Sequence, residues 1–200
     1  MGQISATRLG MEAEQDEWTL VSQLRLGSAA AQAELFNRLA PRLQGFAEAR
    51  LGGDTLLAED VVVETLTDAM QDIKRFRGGS LSAWIYGIAR RRIWQEVRRQ
   101  KRLKVVPASA QVSLHVAETA ARQDVSEEAA ARLEARRKAD LIAGCLAETE
   151  FEILILSSID ELSAKEIAQV VGRSERAVHS LLHRARQKAR ERLHNEERTG

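Results

Sequence analysis

Apolar residues recur at spacings of three and four along most of this chain, the period of helices that bury one face. Glycines interrupt the recurrence. Trp18, Leu20, Val21 and Leu24 form a first stripe that stops at Gly27. Ser28 is placed to cap the next helix, which presents Leu35, Phe36, Leu39, Leu43 and Phe46. Pro41 lies inside that helix and should bend or divide it. Gly52, Gly53 and Asp54 make a turn before a third helix, from about Leu56 to Ile73. Val62, Leu66, Ala69 and Ile73 share its inner stripe, and Glu59, Asp60, Glu64 and Asp68 its other side. Gly78 and Gly79 break the pattern again, and Ser80 can cap a fourth helix. There Leu81, Trp84, Ile85, Ile88, Ile93 and Val97 point inward, and Arg90, Arg91, Arg92, Arg98 and Arg99 largely outward.

Around Pro107 the period is lost among small and polar residues, so 104–125 reads as a flexible linker. About 25 mobile residues would span roughly 25–30 Å as a coil and roughly 80 Å extended. Residues 1–16 show no sustained period and read as a disordered N-terminus, and 196–200 as a tail. A second helical region begins near Ser126, with Leu133, Ile142 and Leu146 leading into Thr149-Glu150-Phe151-Glu152, which has the Thr-x-x-Glu capping form. Phe151, Leu154, Ile155 and Ile159 continue its stripe. The fold predicted is all-α: two small helical domains, 17–103 and 126–195, joined by the linker.

The last helices carry the most chemistry. Ser163 can cap a short helix while Glu166 reaches back to the cap amide, and Ile167, Val170 and Val171 line one face. Gly172 can take the left-handed conformation that stops it. Ser174 caps again, and Val178, Leu181, Leu182, Ala185, Ala189 and Leu193 make a second stripe. Arg173, Arg176, Arg184, Arg186, Lys188, Arg190 and Arg192 surround that stripe, opposed only by Glu175 and Glu191. Two short helices joined by a glycine turn, the second basic and open-faced, describe a helix-turn-helix DNA reader. Residues in the first turns of the second helix reach base edges, which selects Glu175, Arg176, His179 and Ser180. Arg173, Arg184, Arg186 and Lys188 are better placed for phosphates, with Ser174 at the cap.

Composition sharpens this picture in two ways. Only 4% of the 200 residues are aromatic and two are proline, which favours helices throughout. The net charge of +1 conceals a mosaic: residues 1–70 hold five Arg against eleven acids, a net −6, whereas 71–104 hold eleven Lys and Arg against two acids, a net +9. An acidic surface would be repelled by DNA, so its presence in a DNA binder points to a protein partner. Cys145, the single cysteine, lies in apolar surroundings and reads as a small buried hydrophobe. No secretory signal or bilayer-crossing run is evident, so the chain is expected in the cytoplasm without membrane insertion.

The order of these pieces resembles the extracytoplasmic-function (ECF, group IV) sigma factors of bacterial RNA polymerase, over nearly everything from residue 18 to 193. LFNRLAPRLQGFAEARLG (35–52) resembles the first helix of their promoter-melting domain, region 2. AEDVVVETLTDAM (58–70) is similar to their acidic helix, which docks on the clamp helices of the largest polymerase subunit. RFRGGSLSAWIYGIARRRIWQEVRR (75–99) resembles the loop and helix that read the minus-ten element, and 162–193 the region 4 helix-turn-helix that reads the minus-thirty-five element. Val63, Arg91, Ala147, His179 and Leu181 stand where the family usually has Gln, Asn, Pro, Lys and Arg.

The resemblance implies site residues for each element. Phe76, Arg77, Gly78, Gly79 and Ser80 would form the loop that holds an unstacked base, and Arg90, Arg91, Arg92 and Gln95 would face the duplex or its backbone. Trp84 falls on the apolar stripe. Trp94 sits among arginines and is the better candidate for exposed stacking. Glu59, Asp60, Glu64, Thr65 and Asp68 would contact core polymerase, with Asp60, Glu64 and Thr65 first. Further implied partners are promoter DNA, the flap of the second-largest subunit and an anti-sigma factor. His179 and His183 have metal-ligand spacing but nothing to complete a shell, so no metal or cofactor is expected. No phosphate loop, nucleophile elbow or catalytic acid pair is present, so no enzyme is expected. The rival reading is a free-standing dimeric helix-turn-helix regulator.

Overall fold

A computed structural model describes residues 15–105, 127–158 and 162–198. Within these residues the chain forms α1 (15–25), α2 (Ala29–Arg50), α3 (Thr55–Asp72), α4 (Leu81–Val105), α5 (Glu127–Cys145), α6 (Glu148–Ser158), α7 (Ala164–Val171) and α8 (Glu175–Glu197), and no strand. A short 3₁₀ turn, Ile73–Arg75, extends α3. The expected linker lies outside the described residues except 104 and 105, which finish α4. The expected N-terminal disorder does so except 15 and 16, which open α1.

Polar residues ahead of α2, α3 and α4 do the capping. Ser28 Oγ accepts from the Ala31 amide at 3.4 Å, Asp54 Oδ1 from Leu57 at 3.0 Å and Ser80 Oγ from Ala83 at 3.2 Å. Pro41 neither ends nor divides α2, which runs unbroken for 22 residues. Its apolar face compensates for the one backbone hydrogen bond that proline cannot make: Leu35, Leu39, Leu43 and Phe46 are all buried.

These helices close around Val21, Leu24, Val62, Leu66, Ile85 and Ile93, with Tyr86 edge-on to Phe46 at 5.5 Å between ring centroids. Full burial of each large apolar side chain contributes about 1.5–3 kcal/mol. Phe36 departs from the expected inner stripe. Its neighbour Leu35 takes the core position, and adjacent helical residues cannot share it, so Phe36 is exposed. Trp18 is also half in solvent, with one side of its ring toward Phe76.

In the second half α8 lies against α5, α6 and α7. Ile153, Leu156, Ile167, Val178 and Ala185 are buried there. The expected cap at Thr149 is displaced. α6 starts at Glu148, and it is Glu150 that reaches back, accepting from the Ala147 amide at 3.1 Å. Glu152, expected in the capping role, faces away from the helix start and toward the first half of the molecule. The two halves meet directly: α7 packs along α4 and α6 approaches α2, so one buried cluster runs through both. No described helix is long and apolar enough to cross a membrane.

Candidate nucleic-acid and partner-protein surfaces

The helix-turn-helix forms as its capping residues dictate. Ser163 Oγ accepts from the Glu166 amide at 3.3 Å while Glu166 Oε2 accepts from the Ser163 amide at 2.9 Å, a closed capping box. Gly172 stops α7 at φ 67°, a backbone conformation that costs other residues more. Ser174 then opens α8 by accepting from Ala177 at 3.3 Å. Val178, Leu182, Ala185 and Ala189 turn inward, which leaves Arg173, Glu175, Arg176, His179, Ser180, Arg184 and Arg186 exposed.

Internal partners divide these exposed residues. Glu175 lies 3.7 Å from His179, and Ser180 Oγ donates to the Arg176 carbonyl at 3.1 Å, contacts that orient the first turns of α8. Arg186 donates to Ser157 Oγ at 3.0 Å. Lys188, expected on a phosphate, instead donates to Glu150 Oε2 at 2.7 Å. That carboxylate is buried, so Lys188 neutralises an internal charge and ties α8 to α6. The hydrogen bond from Lys188 is the main reason the Glu150 carboxyl lies below its ordinary range; burial opposes it and the Ala147 amide adds to it.

The loop and helix expected to read the minus-ten element are more deeply engaged within the chain. Phe76 is buried between Trp18 and Trp84, at 6.2 and 5.6 Å, and its carbonyl accepts from Arg25 at 2.7 Å. It wedges the loop onto the core and does not face a base. Gly78 takes φ 120° and Gly79 φ 86°, and Arg77 is exposed beside them. Ser80 Oγ, besides capping α4, donates to Glu166 Oε1 of α7 at 2.7 Å. Burial opposes ionisation of Glu166, but hydrogen bonds from Ser80 and then Ser163 outweigh it, so its carboxyl also lies below the ordinary range.

Arg90 Nε donates to Glu152 Oε1 at 2.9 Å, and Arg92 pairs with both Glu64 and Asp68. Arg92 thus braces α3 against α4, which removes it from the expected DNA-facing set. Trp94 is half-buried, with its indole N–H enclosed, and Arg50 and Arg90 lie 5.7 and 5.9 Å from its ring. It is not the exposed platform its basic neighbourhood suggested, because the guanidinium groups of Arg50 and Arg90 lie against its ring. Arg91, Gln95 and Arg98 remain exposed. They line a cleft of about 700 Å³ between α4 and α7, together with Trp84, Ile88 and Gln169.

On α3, Glu59, Asp60 and Glu64 are exposed, but Thr65 is fully buried and cannot meet a partner. Thr65 falls one helical turn from Val61 and Val62 on the core face, and its hydroxyl finds no hydrogen-bond partner. Leu56 and Val63 are exposed beside the acids, so this surface mixes charge with apolar area as partner-binding faces do. Among the described residues no group of three or more His, Cys, Asp or Glu could hold a metal ion. Cys145 is half-buried, with Sγ 3.2 Å from the Ile142 carbonyl.

The family model for Sigma-70 region 2 matches residues 35–103, and the model for Sigma-70 region 4 matches residues 136–188. With both regions present in order, the chain belongs to the Sigma-70 family. The ECF RNA polymerase sigma factor BldN of Streptomyces coelicolor is 27% identical over 170 residues, which cover 83% of this chain and 61% of that relative. The chain therefore spans about six-tenths of its curated relative's length. CnrH, solved in complex with the cytosolic domain of CnrY, superposes with a TM-score of 0.67 at 25% identity, over 88% of this chain and 96% of that one. RpoE of Bartonella quintana, solved with the anti-sigma factor NepR, shares the fold at a TM-score of 0.60 and 21% identity, over 80% and 95% of the two chains.

In this sigma factor the contacts between region 2 and region 4 are what sequence reasoning missed. Arg50 donates to Glu148 Oε1 at 3.0 Å, beside the Arg90–Glu152 pair. Glu148 and Glu152 are spaced i, i+4, so they share one face of α6, a regularity that was visible in the sequence. The position of their partners, 98 and 62 residues away, was not.

Proposed function

We propose that this chain is an alternative sigma factor that directs core RNA polymerase to specific promoters and assists their opening at transcription initiation. The observation that carries it is the pairing, in one chain, of a basic helix-turn-helix with a second basic helix, α4, and an acidic–apolar face on α3. The recognition helix offers Glu175, Arg176, His179 and Ser180 to base edges, with Arg173, Arg184 and Arg186 on phosphates. Arg77, Gly78 and Gly79, with Arg91, Gln95 and Arg98, face the minus-ten segment. Glu59, Asp60 and Glu64, with Leu56 and Val63, dock on the polymerase clamp. The protein does no chemistry of its own and acts in the cytoplasm, where it meets polymerase and, by analogy with the solved complexes of CnrH and RpoE, an anti-sigma factor.

Run-off transcription with core polymerase on genomic promoter fragments tests the proposal. Stimulated initiation from a subset of promoters is expected, and Asp60→Lys with Glu59→Lys should abolish it. No stimulation from any promoter would overturn it. A free-standing regulator is not favoured, since it leaves region 2 and the α3 face without a role; it predicts tight operator binding without polymerase.

A further inference from the structure

Glu152 is a carboxylate that the fold cannot hold without its partner. It is 1% exposed, one oxygen is bonded to Arg90 at 2.9 Å, and the other finds no hydrogen-bond donor. Its partner comes from the other half of the molecule. One turn earlier, Glu148 holds Arg50 from the end of α2 in the same way, and the two arginines flank the Trp94 ring. A third tie, Ser80 to Glu166, joins the cap of α4 to the capping box of the helix-turn-helix. Gln169 of α7 completes the contact, with its side-chain amide 3.5 Å from where a Cβ on Gly79 would stand.

These contacts fall beside the residues assigned to the minus-ten segment, Gly78, Gly79, Arg91 and Gln95. Arg90 and Ser80 belong to the basic helix and its loop, and α7 lies across α4 on the side where Trp84, Arg91 and Trp94 form the cleft. Glu152 holds the Arg90 guanidinium as a phosphate oxygen would, through a charge-assisted hydrogen bond. While α6 is in place, DNA must compete with a buried carboxylate for that guanidinium. We infer that Glu148 and Glu152 of α6 form a clasp that holds region 4 on region 2 and masks the minus-ten surface with an acidic mimic of the DNA backbone. The inference rests on the sigma-factor reading for its consequence, but the clasp itself is a property of the free chain. Assembly with polymerase then requires the clasp to open, and Glu152, once open, stands in water and needs no partner. That asymmetry makes the element two-state: closed, the charges are paired although one Glu152 oxygen has no donor, and open, both charges are hydrated.

The test places spin labels on the full chain at Gln71→Cys in α3 and Asp140→Cys in α5, in a Cys145→Ala background. The otherwise wild-type protein should give one narrow distance distribution, and Glu148→Gln with Glu152→Gln should raise the longer-distance population roughly tenfold or more. A broad, long distribution already present without the glutamine changes, or one that they leave unaltered, would overturn the clasp. Circular dichroism monitors folding. If the double variant does not fold, Glu148→Arg changes only the exposed Glu148 and sets a like charge against the buried Arg50; it should shift the distribution the same way, and no shift overturns the proposal. Mixing with core polymerase reads the consequence: the opened variant should assemble several-fold faster, and equal rates would overturn the masking role. If the distances respond but no form supports initiation, the clasp stands and the polymerase reading fails.

Discussion

Arg92 Nε donates to Asp68 Oδ2 at 2.9 Å, so a residue of the basic helix is held by a residue of the acidic one. The same guanidinium reaches Glu64 one turn away. Two surfaces of opposite charge on α3 and α4 are therefore joined along their shared edge by a forked cation, an arrangement suited to arginine and poorly reproduced by lysine. Both partners are partly exposed, so the pairing is worth little beyond about 1 kcal/mol. Arg92→Ala should lower stability by about 1–2 kcal/mol, with part of the loss from packing of the arginine stem. A double-mutant cycle with Asp68→Ala, followed by urea unfolding, should show positive coupling, and strict additivity would remove the bridge from the account.

Thr65 gives a second expectation. Its hydroxyl is enclosed without a partner, so the fold bears the cost of desolvating it. Thr65→Val keeps the shape and removes the polar atom. It should leave stability unchanged or raise it by about 1 kcal/mol, with no change in affinity for core polymerase. A clear loss of polymerase binding with normal stability would return Thr65 to the docking surface.

The helices were legible because glycines and capping serines mark their ends and the apolar period marks their faces. The stretch from Ser163 to Ala189 has the most of these signals, and its capping box, glycine stop and inner stripe all formed as read. What could not be read is which charged residue of one helix meets which of another. Arg90, Arg91 and Arg92 are neighbours in sequence, and helical geometry points them in three directions: toward α6, into the cleft and toward α3. Periodicity identifies the buried stripe but says nothing of what covers its flanks. Phe76, Thr65 and Trp94 were misjudged for the same reason, since each is enclosed by a helix distant in sequence or lies just inside the edge of a stripe.

Acid should weaken the second half of the molecule through Glu150. Its carboxyl ionises below the ordinary range in the folded state because Lys188 donates to it, so the unfolded chain binds protons more readily. The stabilisation it contributes is complete above the unfolded value, about pH 4.3, and is lost as pH falls through the lower folded value. Glu166 has the same sign through Ser80 and Ser163. Thermal melts from pH 6 toward pH 3 should fall less steeply for Glu150→Gln than for wild type. Parallel curves would show that Glu150 does not carry the acid sensitivity.

Arg176 and Arg184 should separate reading from anchoring on the recognition helix. Both are exposed, but Arg176 lies in the first turn of α8, where a helix inserted in the major groove meets base edges, and Arg184 lies two turns further on. Arg176→Ala should cost about 1–3 kcal/mol on promoters that carry its preferred base and little on others, and so change promoter choice. Arg184→Ala should weaken all promoters alike and reduce the slope of log affinity against log salt by about one. Holoenzyme binding to a panel of minus-thirty-five variants at several salt concentrations measures both. His179 stands one turn after Glu175 and within its reach, so His179→Ala should follow Arg176→Ala and not Arg184→Ala. If all three variants lost every promoter equally with the same salt slope, the first turns of α8 would be gripping the backbone, and sequence would have to be read elsewhere.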